Sequence, residues 1–523
     1  MTKKLDPIQP KKSAMDFKMK RAREQYREAE DAQSINADQA LEVDRSGTVY
    51  KWAVYSKLLP HNNFGEVSAE DFNKLKKALE TGDQDDFDAI PFASGCVRKL
   101  VNPQAPLSYV LAGQDNQSLT MPHSPSITSN ETASEMMEVY EMAMHRDIPF
   151  ATIEEGTDPA TVRAIATLNA YGADFKGPKD GGAVTAKTLF RGIGTDETVG
   201  PYVSQLMYLP FDYGNIAITQ MIREELDQTN SVNESGWLDI INGVQTGTPN
   251  YSGESYYAHT PRMLGSYVHN DKLFQAFTNA SLILFQNNAP FDPAIPTLPK
   301  EEFFVGLGLP DLCAAVATVS KIALQTAWNQ KWMINMRPRP ETLAGRFHYQ
   351  DTSAATYGLD SDDYGATTIA AMKTYNSLNF SEDTAFLPLI FPEGCPAHPE
   401  YPQGHATVAG ACTTVLKAWF DTSQTWVGDL ELNPQHSIDG ETLVNYNGLD
   451  ANQITVLGEL NKLASNIANG RNIAGVHFRS AGDDGIALGE KVAIQFLKDL
   501  KETYNEEFTG WSLTKFDGTT ITI

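Results

Sequence analysis

Between Pro310 and Met336 the sequence reads PDLCAAVATVSKIALQTAWNQKWMINM, helix formers with apolar side chains on nearly every face, closed by Arg337-Pro338-Arg339-Pro340. Proline in the first turn opens such a helix, and the two X-Pro steps end it. A helix apolar all round has to be buried, so the remainder of the chain must surround it. TASEMMEVYEMAM, PATVRAIATLNAYG, AITQMIREELDQ and NDKLFQAFTNASLILFQNN each repeat apolar residues at i, i+3, i+4 and i+7, the stripe of a helix packed on one face. Further helices are expected at about 365–378, 405–420, 452–469 and 484–506. TVYKWAVYSKLL supplies short β-like pieces, and Asp517-Gly518 in the closing KFDGTTITI signals a hairpin. The expected fold is mainly α: one large helical-bundle domain over residues 46–523 with minor short β-hairpins. Residues 1–45 form a charged N-terminal arm, in which KMKRAREQYREAEDA suits a solvated helix better than an arm laid over a neighbouring subunit.

Composition narrows the function classes. The chain has 523 residues and a net charge of −25, which repels a phosphate backbone and argues against nucleic acid as a partner. No run approaches the roughly 20 consecutive apolar residues of a membrane span. The N-terminal stretch lacks the apolar h-region of a secretory signal, so export by that route is not expected. Cys96, Cys313, Cys395 and Cys412 form no CxxC pair and no dense framework, so neither a zinc ribbon nor a disulfide scaffold is indicated. A Cys395–Cys412 pairing stays open.

Three clusters carry chemistry. Lys331, Arg337 and Arg339 end the long helix, PEGCPAHPEYPQGHATVAGA spans 392–411, and NGRNIAGVHFRS spans 469–480. Taken singly, the cations could pair with surface carboxylates, and each histidine could be a cap or a packed core side chain. Together they suit an oxyanion. Gly404 and His405 begin a small-residue helix whose first N–H groups and dipole attract negative charge. Guanidinium forks bind anion oxygens two at a time, lysine adds a point charge, and a neutral imidazole adds one coordinate bond. Arg471 and His477 lie six residues apart. On an ideal helix that is about 240°, so they face one site only if Gly475 bends or ends the helix.

Lys331-x7-Arg339-Pro340, Pro402-x-Gly404-His405 and Arg471-x5-His477 resemble, in order, the three-part signature shared by vanadium-dependent haloperoxidases and vanadate-inhibited acid phosphatases. FPEGCPAHPEYPQGHATVAGA, RPRPETLAGRFH and GVHFRS are especially similar to the bromoperoxidases of red algae and cyanobacteria. The resemblance implies a helical bundle of that type and a vanadate cofactor held by Lys331, Arg339, Gln403, Gly404 and Arg471, with His477 as the vanadium ligand. It implies His405 as the acid–base residue, Lys331 as the group that polarises bound oxygen, and His398 as an additional active-site histidine. Trp328 and His398 would stand on the halide side. The implied reaction oxidises a halide, bromide most readily and iodide with it, using hydrogen peroxide. The hypohalous acid released then halogenates an organic acceptor. A homo-oligomer, dodecameric by resemblance, and a possible calcium ion are also implied.

Two positions depart from the pattern. Gln403 stands where the family has serine, and its longer amide could donate to vanadate or reach over it. Ser480 and Ala481 stand where an aspartate usually follows the third-block histidine, so the support for His477 or Arg471 must be rebuilt elsewhere. The rival reaction is a phosphomonoesterase working through a phosphohistidine at His477. Against it stand the Lys331–Arg339 spacing, which Arg337 meets less well, and the presence of His398. Anion binding without turnover is the third reading.

Overall fold

The computed structural model describes residues 8–28, 33–226, 231–244, 247–359 and 365–523. The long apolar helix forms over Leu309–Asn329 with Pro310 in its first turn. Its N-terminal half keeps one solvent face, but every residue from Gln325 to Trp332 is buried. There it widens into a π-helical turn, Gln330–Asn335, which closes at Met336 in the left-handed region (φ 49°). Such a turn shifts the side chains of one helical segment relative to the next and is frequent at functional sites. Lys331 sits on it.

Three further helices fill the interior beside it. In Gly404–Trp419 all residues but His405 are buried, and in Val456–Ile473 all but Leu457. The helix Arg479–Lys501 crosses Gly404–Trp419 at glycines. A Cβ on Gly410 would lie 2.1 Å from Ile486 O, and one on Gly489 would lie 2.1 Å from Thr407 O. The two backbones therefore touch, which small residues alone permit, and the helix carrying Gly404 and His405 is fixed against its neighbour. The main apolar core draws on residues from Trp52 to Ile523, with two smaller apolar clusters beside it.

Most of the expected helices form, at Asn130–Met144, Pro159–Ala170, Gln275–Gln286 and Ala366–Phe380. Asn130–Met144 was expected to bury one stripe, yet it is buried on all sides from Thr132 to Ala143. Its acidic residues face arginines: Glu135 meets Arg337 (2.9 Å), Glu138 meets Arg479 (2.5 Å) and Glu141 meets Arg163 (2.7 Å). AITQMIREELDQ is a correction. It forms no helix over its described residues. Ile216–Ile218 pairs antiparallel with Phe211–Tyr213, and Ile222–Glu225 with Tyr251–Tyr256. Gln220 adopts φ 59°, which interrupts any helix, and the isoleucines satisfy strand alternation as well as helical spacing. Asp227 and Gln228 lie outside the described residues.

The remaining β structure is small: a three-stranded antiparallel sheet (Glu42–Arg45, Thr48–Lys51, Val67–Ser68) and hairpins at 434–445 and 512–522. The last contains the Asp517-Gly518 turn. In the arm, Gln9–Glu28 is a largely exposed helix that touches the body through Arg21 and Asp499 (2.7 Å) and through Gln25 and Gly113 O (3.0 Å). All four cysteines are free, so Cys395 and Cys412 are not paired. Each is buried with its thiol aimed at a backbone carbonyl, Gly475 O and Val316 O respectively. Among the described residues no helix is long and apolar enough to cross a membrane.

Candidate functional site

The three sequence blocks converge on one cavity of about 370 Å³. Trp328, His398, Gly404, His405, Arg471 and His477 line it directly. Lys331 and Arg339 stand immediately behind its wall. The Arg339 guanidinium donates through Nη1 to His477 Nε2 (2.9 Å) and Val476 O (2.8 Å), and through Nη2 to His398 Nδ1 (3.0 Å). Lys331 Nζ donates to Pro399 O (2.8 Å) and Glu400 O (2.7 Å). Arg337 belongs elsewhere, engaged by Glu135, Thr132, Ser480 and Glu400, which favours Arg339 as the partner of Lys331.

Gly475 explains how Arg471 and His477 reach one place. The helix ends at Ile473, and Gly475 turns the chain at φ 81°, where a Cβ would meet Leu389 at 2.9 Å. Phe478 then caps the next helix. Arg471 Nη1 donates to Val268 O (2.7 Å), its guanidinium lies 5.1 Å from the Phe391 ring centre, and its Nε is buried without a partner.

The missing carboxylate of the third block is replaced from the second. Glu400 Oε1 accepts from His477 Nδ1 (2.9 Å) and from Phe478 N (3.0 Å). With its proton held at Nδ1, His477 presents Nε2 as a lone pair, the form in which imidazole binds a metal. A second carboxylate that sequence reasoning passed over is Asp271, whose Oδ1 accepts from His405 Nε2 (2.9 Å). That bond leaves His405 Nδ1 as the nitrogen able to exchange a proton with the cavity. Nothing local flags either acid: the Glu400–His477 separation is 77 residues and the Asp271–His405 separation is 134.

Gln403 does not face the cavity. Its Nε2 donates to Ala468 O (3.0 Å) and its Oε1 is buried near Gly482. The side chain is long enough to reach the neighbouring helix, and that contact turns the amide away from the place expected for it. It also leaves the helix start without a side-chain cap. The first N–H groups of Gly404–Trp419 are thus open to a ligand. A Cβ on Gly404 would press Leu324 and Trp328 at 3.1 Å and narrow the cavity.

Electrostatically the site crowds cations together in a buried space. Burial, then the nearby Arg339 charge, holds Lys331 well below the usual lysine range; the same two causes lower Arg471 to about 10. His398 and His477 are held well below 6.5 by burial and then by Arg339 and Lys331. His405 is lowered by burial, against the pull of Asp271. Like charges crowded together in a dry pocket repel, and a bound oxyanion would relieve all of them at once. Among the described residues no group of three or more His, Cys, Asp or Glu side chains could hold a metal ion, so no side-chain set for calcium stands out. A site whose imidazoles stand among several cations suits an oxyanion of a metal, not a bare cation.

The fold and this cavity define a helical-bundle protein with an oxyanion site. A family profile described as the VCPO second helical-bundle domain matches residues 311–506, the part that carries all three blocks. The sequence is 32% identical to the vanadium-dependent bromoperoxidase of Corallina pilulifera over 90% of this chain and 91% of that protein. It is 30% identical to that of Ascophyllum nodosum over 90% and 88%. The homohexameric structure of the second vanadate-dependent bromoperoxidase from Ascophyllum nodosum superposes with a TM-score of 0.90 at 26% identity, covering 99% of this chain and 91% of that one. The chain belongs to the vanadium-dependent bromoperoxidase family.

Proposed function

We propose that this protein is a vanadate-dependent haloperoxidase that oxidises bromide, and iodide with it, to hypohalous acid at the expense of hydrogen peroxide. The observation that carries the reading is the Glu400–His477–Arg339 line. One imidazole is fixed with its proton at Nδ1 and its Nε2 lone pair turned toward Arg339, and burial beside Arg339 holds Lys331 well below the usual lysine range. The chemistry fits vanadate. Lys331, Arg339, Arg471 and the Gly404 N–H would hold its oxygens and His477 Nε2 its metal. When bound, vanadate supplies a Lewis-acidic centre that activates peroxide without changing oxidation state.

The chain's own residues supply the rest. Lys331 and Arg339, kept dry, withdraw electron density from whatever oxygen faces them, because a low-dielectric wall leaves their charge unscreened. His405 moves protons at Nδ1 while Asp271 steadies the imidazolium that forms. Trp328 and His398, whose ring centres lie 4.6 Å apart, make the wall on the halide side. The division into an arm over residues 1–45 and a catalytic body over 46–523 is part of the proposal, with the last residues of the arm, Glu42–Arg45, paired to the strand Thr48–Lys51 of the body. Assembly into a homo-oligomer is part of the proposal; the homohexamer of the structural relative supports a hexamer, not the dodecamer expected at first.

The test is bromination of monochlorodimedone with orthovanadate, peroxide and bromide, beside release of p-nitrophenol from p-nitrophenyl phosphate without vanadate. Bromination that requires vanadate is the expected result. Phosphate release alone would instead support a phosphohistidine at His477, and silence in both would leave an anion binder.

A further inference from the structure

The cavity shares a wall with a second hollow. Val101, Leu273, Leu324 and Trp328 line both. The second hollow, about 600 Å³, opens between the Val101–Tyr109 segment and the outer face of the central helix. Its chemistry differs from that of the first. Aliphatic carbon and two aromatic rings dominate, and Lys321 is the one charged residue among its described lining. Tyr109 is 76% exposed and Leu111, beyond it, 81%. Exposed apolar groups gathered beside a cavity mark a binding surface more often than scattered ones do.

The partition between the two spaces is braced. Trp328 Nε1 donates to Val101 O (3.0 Å), Val101 N donates to Ala397 O (2.8 Å), and the indole lies against His398. Gln325 Nε2 donates to Ser108 Oγ (2.6 Å) and ties the outer segment to the helix. A molecule in the second hollow would therefore rest against a fixed indole, with Val101, Leu273, Leu324 and Trp328 between it and the oxyanion cavity. The volume lies within the roughly 300–1,000 Å³ of small-molecule sites.

We propose that this hollow binds the organic acceptor, and that the acceptor is a phenol-type aromatic stacked on Trp328 and Tyr109 with its oxygen toward Lys321. The proposal rests on the peroxidase reading, which supplies hypobromous acid next door. In the step that follows, an aromatic carbon attacks bromine. The C–Br bond forms, the Br–O bond breaks with its electron pair left on hydroxide, and the displaced ring proton joins that hydroxide as water. No further oxidant is needed. Halogenation would then show a selectivity that hypobromous acid free in solution lacks.

The experiment uses the vanadate-loaded protein and 2-naphthol as probe. Calorimetric titration without peroxide should give saturable binding, weakened about tenfold or more by Ser108→Trp, which fills the hollow, and by Tyr109→Ala, which removes one platform. Under turnover, 2-naphthol in competition with monochlorodimedone should be brominated in a higher ratio than reagent hypobromite gives. Both variants should return the ratio to the reagent value while bromide-dependent peroxide consumption is kept. Absence of saturable binding, or a wild-type ratio equal to that of reagent hypobromite, overturns the acceptor site with the peroxidase reading intact. Naphthol binding without any bromide oxidation overturns the peroxidase reading, and the halogenation step with it.

Discussion

Replacing Glu400 with glutamine tests the support of His477 directly. The substitution keeps the shape, so an amide oxygen can still accept from His477 Nδ1 and Phe478 N, which now stand at 2.9 and 3.0 Å from the carboxylate. The charge is what disappears. Hydrogen bonds to a charged group contribute about 1.5–3 kcal/mol, against about 1 for neutral pairs, and His477 loses the partner that makes Nε2 a strong donor to a metal. The new amide NH2 also faces Arg337 Nη1, which lies 3.5 Å from Oε2, although Glu135 continues to hold Arg337 at 2.9 Å. Partners of metal-bound histidines typically govern roughly 10- to 100-fold in affinity. Glu400→Gln should therefore weaken vanadate binding by that factor, about 1.4–2.7 kcal/mol. Calorimetric titration of orthovanadate into the vanadate-free protein reads this, with far-ultraviolet circular dichroism as the check on folding. A dissociation constant within about twofold of wild type, in a folded variant, would refute the role given to Glu400.

Four other outcomes are expected. His405→Ala should lower bromide oxidation about 100- to 10,000-fold with vanadate still bound, since a positioned acid–base contributes about that much; full peroxidase rates in the variant would reject the assignment. Gly489→Ala drives a methyl toward Thr407 O and should lower stability by about 1–3 kcal/mol or more in urea unfolding. His269 is pushed down by burial, but the hydrogen bonds it donates to Glu225 and Glu393 outweigh this and raise it to about 9. A raised pKa stabilises the fold below about 6.5, and the benefit fades as pH climbs through about 9, so His269→Gln should cost up to about 3 kcal/mol at pH 6 and little at pH 10. Thermal unfolding at the two pH values measures the difference. Finally, vanadate at about 100 times its dissociation constant should raise the unfolding free energy of wild type by about 2.7 kcal/mol, while His477→Ala shows no such gain.

The helical frame was legible because its period is local. Pro310, the X-Pro pair after Met336 and the apolar run between them mark a buried helix whatever its neighbours do, and the structure forms it at Leu309–Asn329. The 216–225 segment was not legible, since isoleucines at 216, 218 and 222 fit both periods and only the left-handed Gln220 decides between them. In the site, the cations and histidines stood out through their unusual density near glycine and proline. Glu400 did not, although it lies inside the second block, because carboxylates are common and its partner is set by a chain reversal at Gly475. Asp271 had no signal at all: it ends the helix Pro261–Asn270, far from every block. Gln403 was visible as an oddity, but its direction depended on Ala468, which only packing reveals.

The stretch from His398 to His405 has an unequal share of responsibility. Its main-chain carbonyls at 398, 399 and 400 tether Arg339 and Lys331, its Glu400 steadies His477, and its end supplies the open helix start. Since two of the cations are gripped by main-chain atoms, what holds them is the path of the backbone, which the buried Pro399 helps to fix. A deletion of one residue there would shift the carbonyls that hold Lys331 and Arg339 and the carboxylate that holds His477 all at once, so three separate parts of the cavity depend on the length of one short segment.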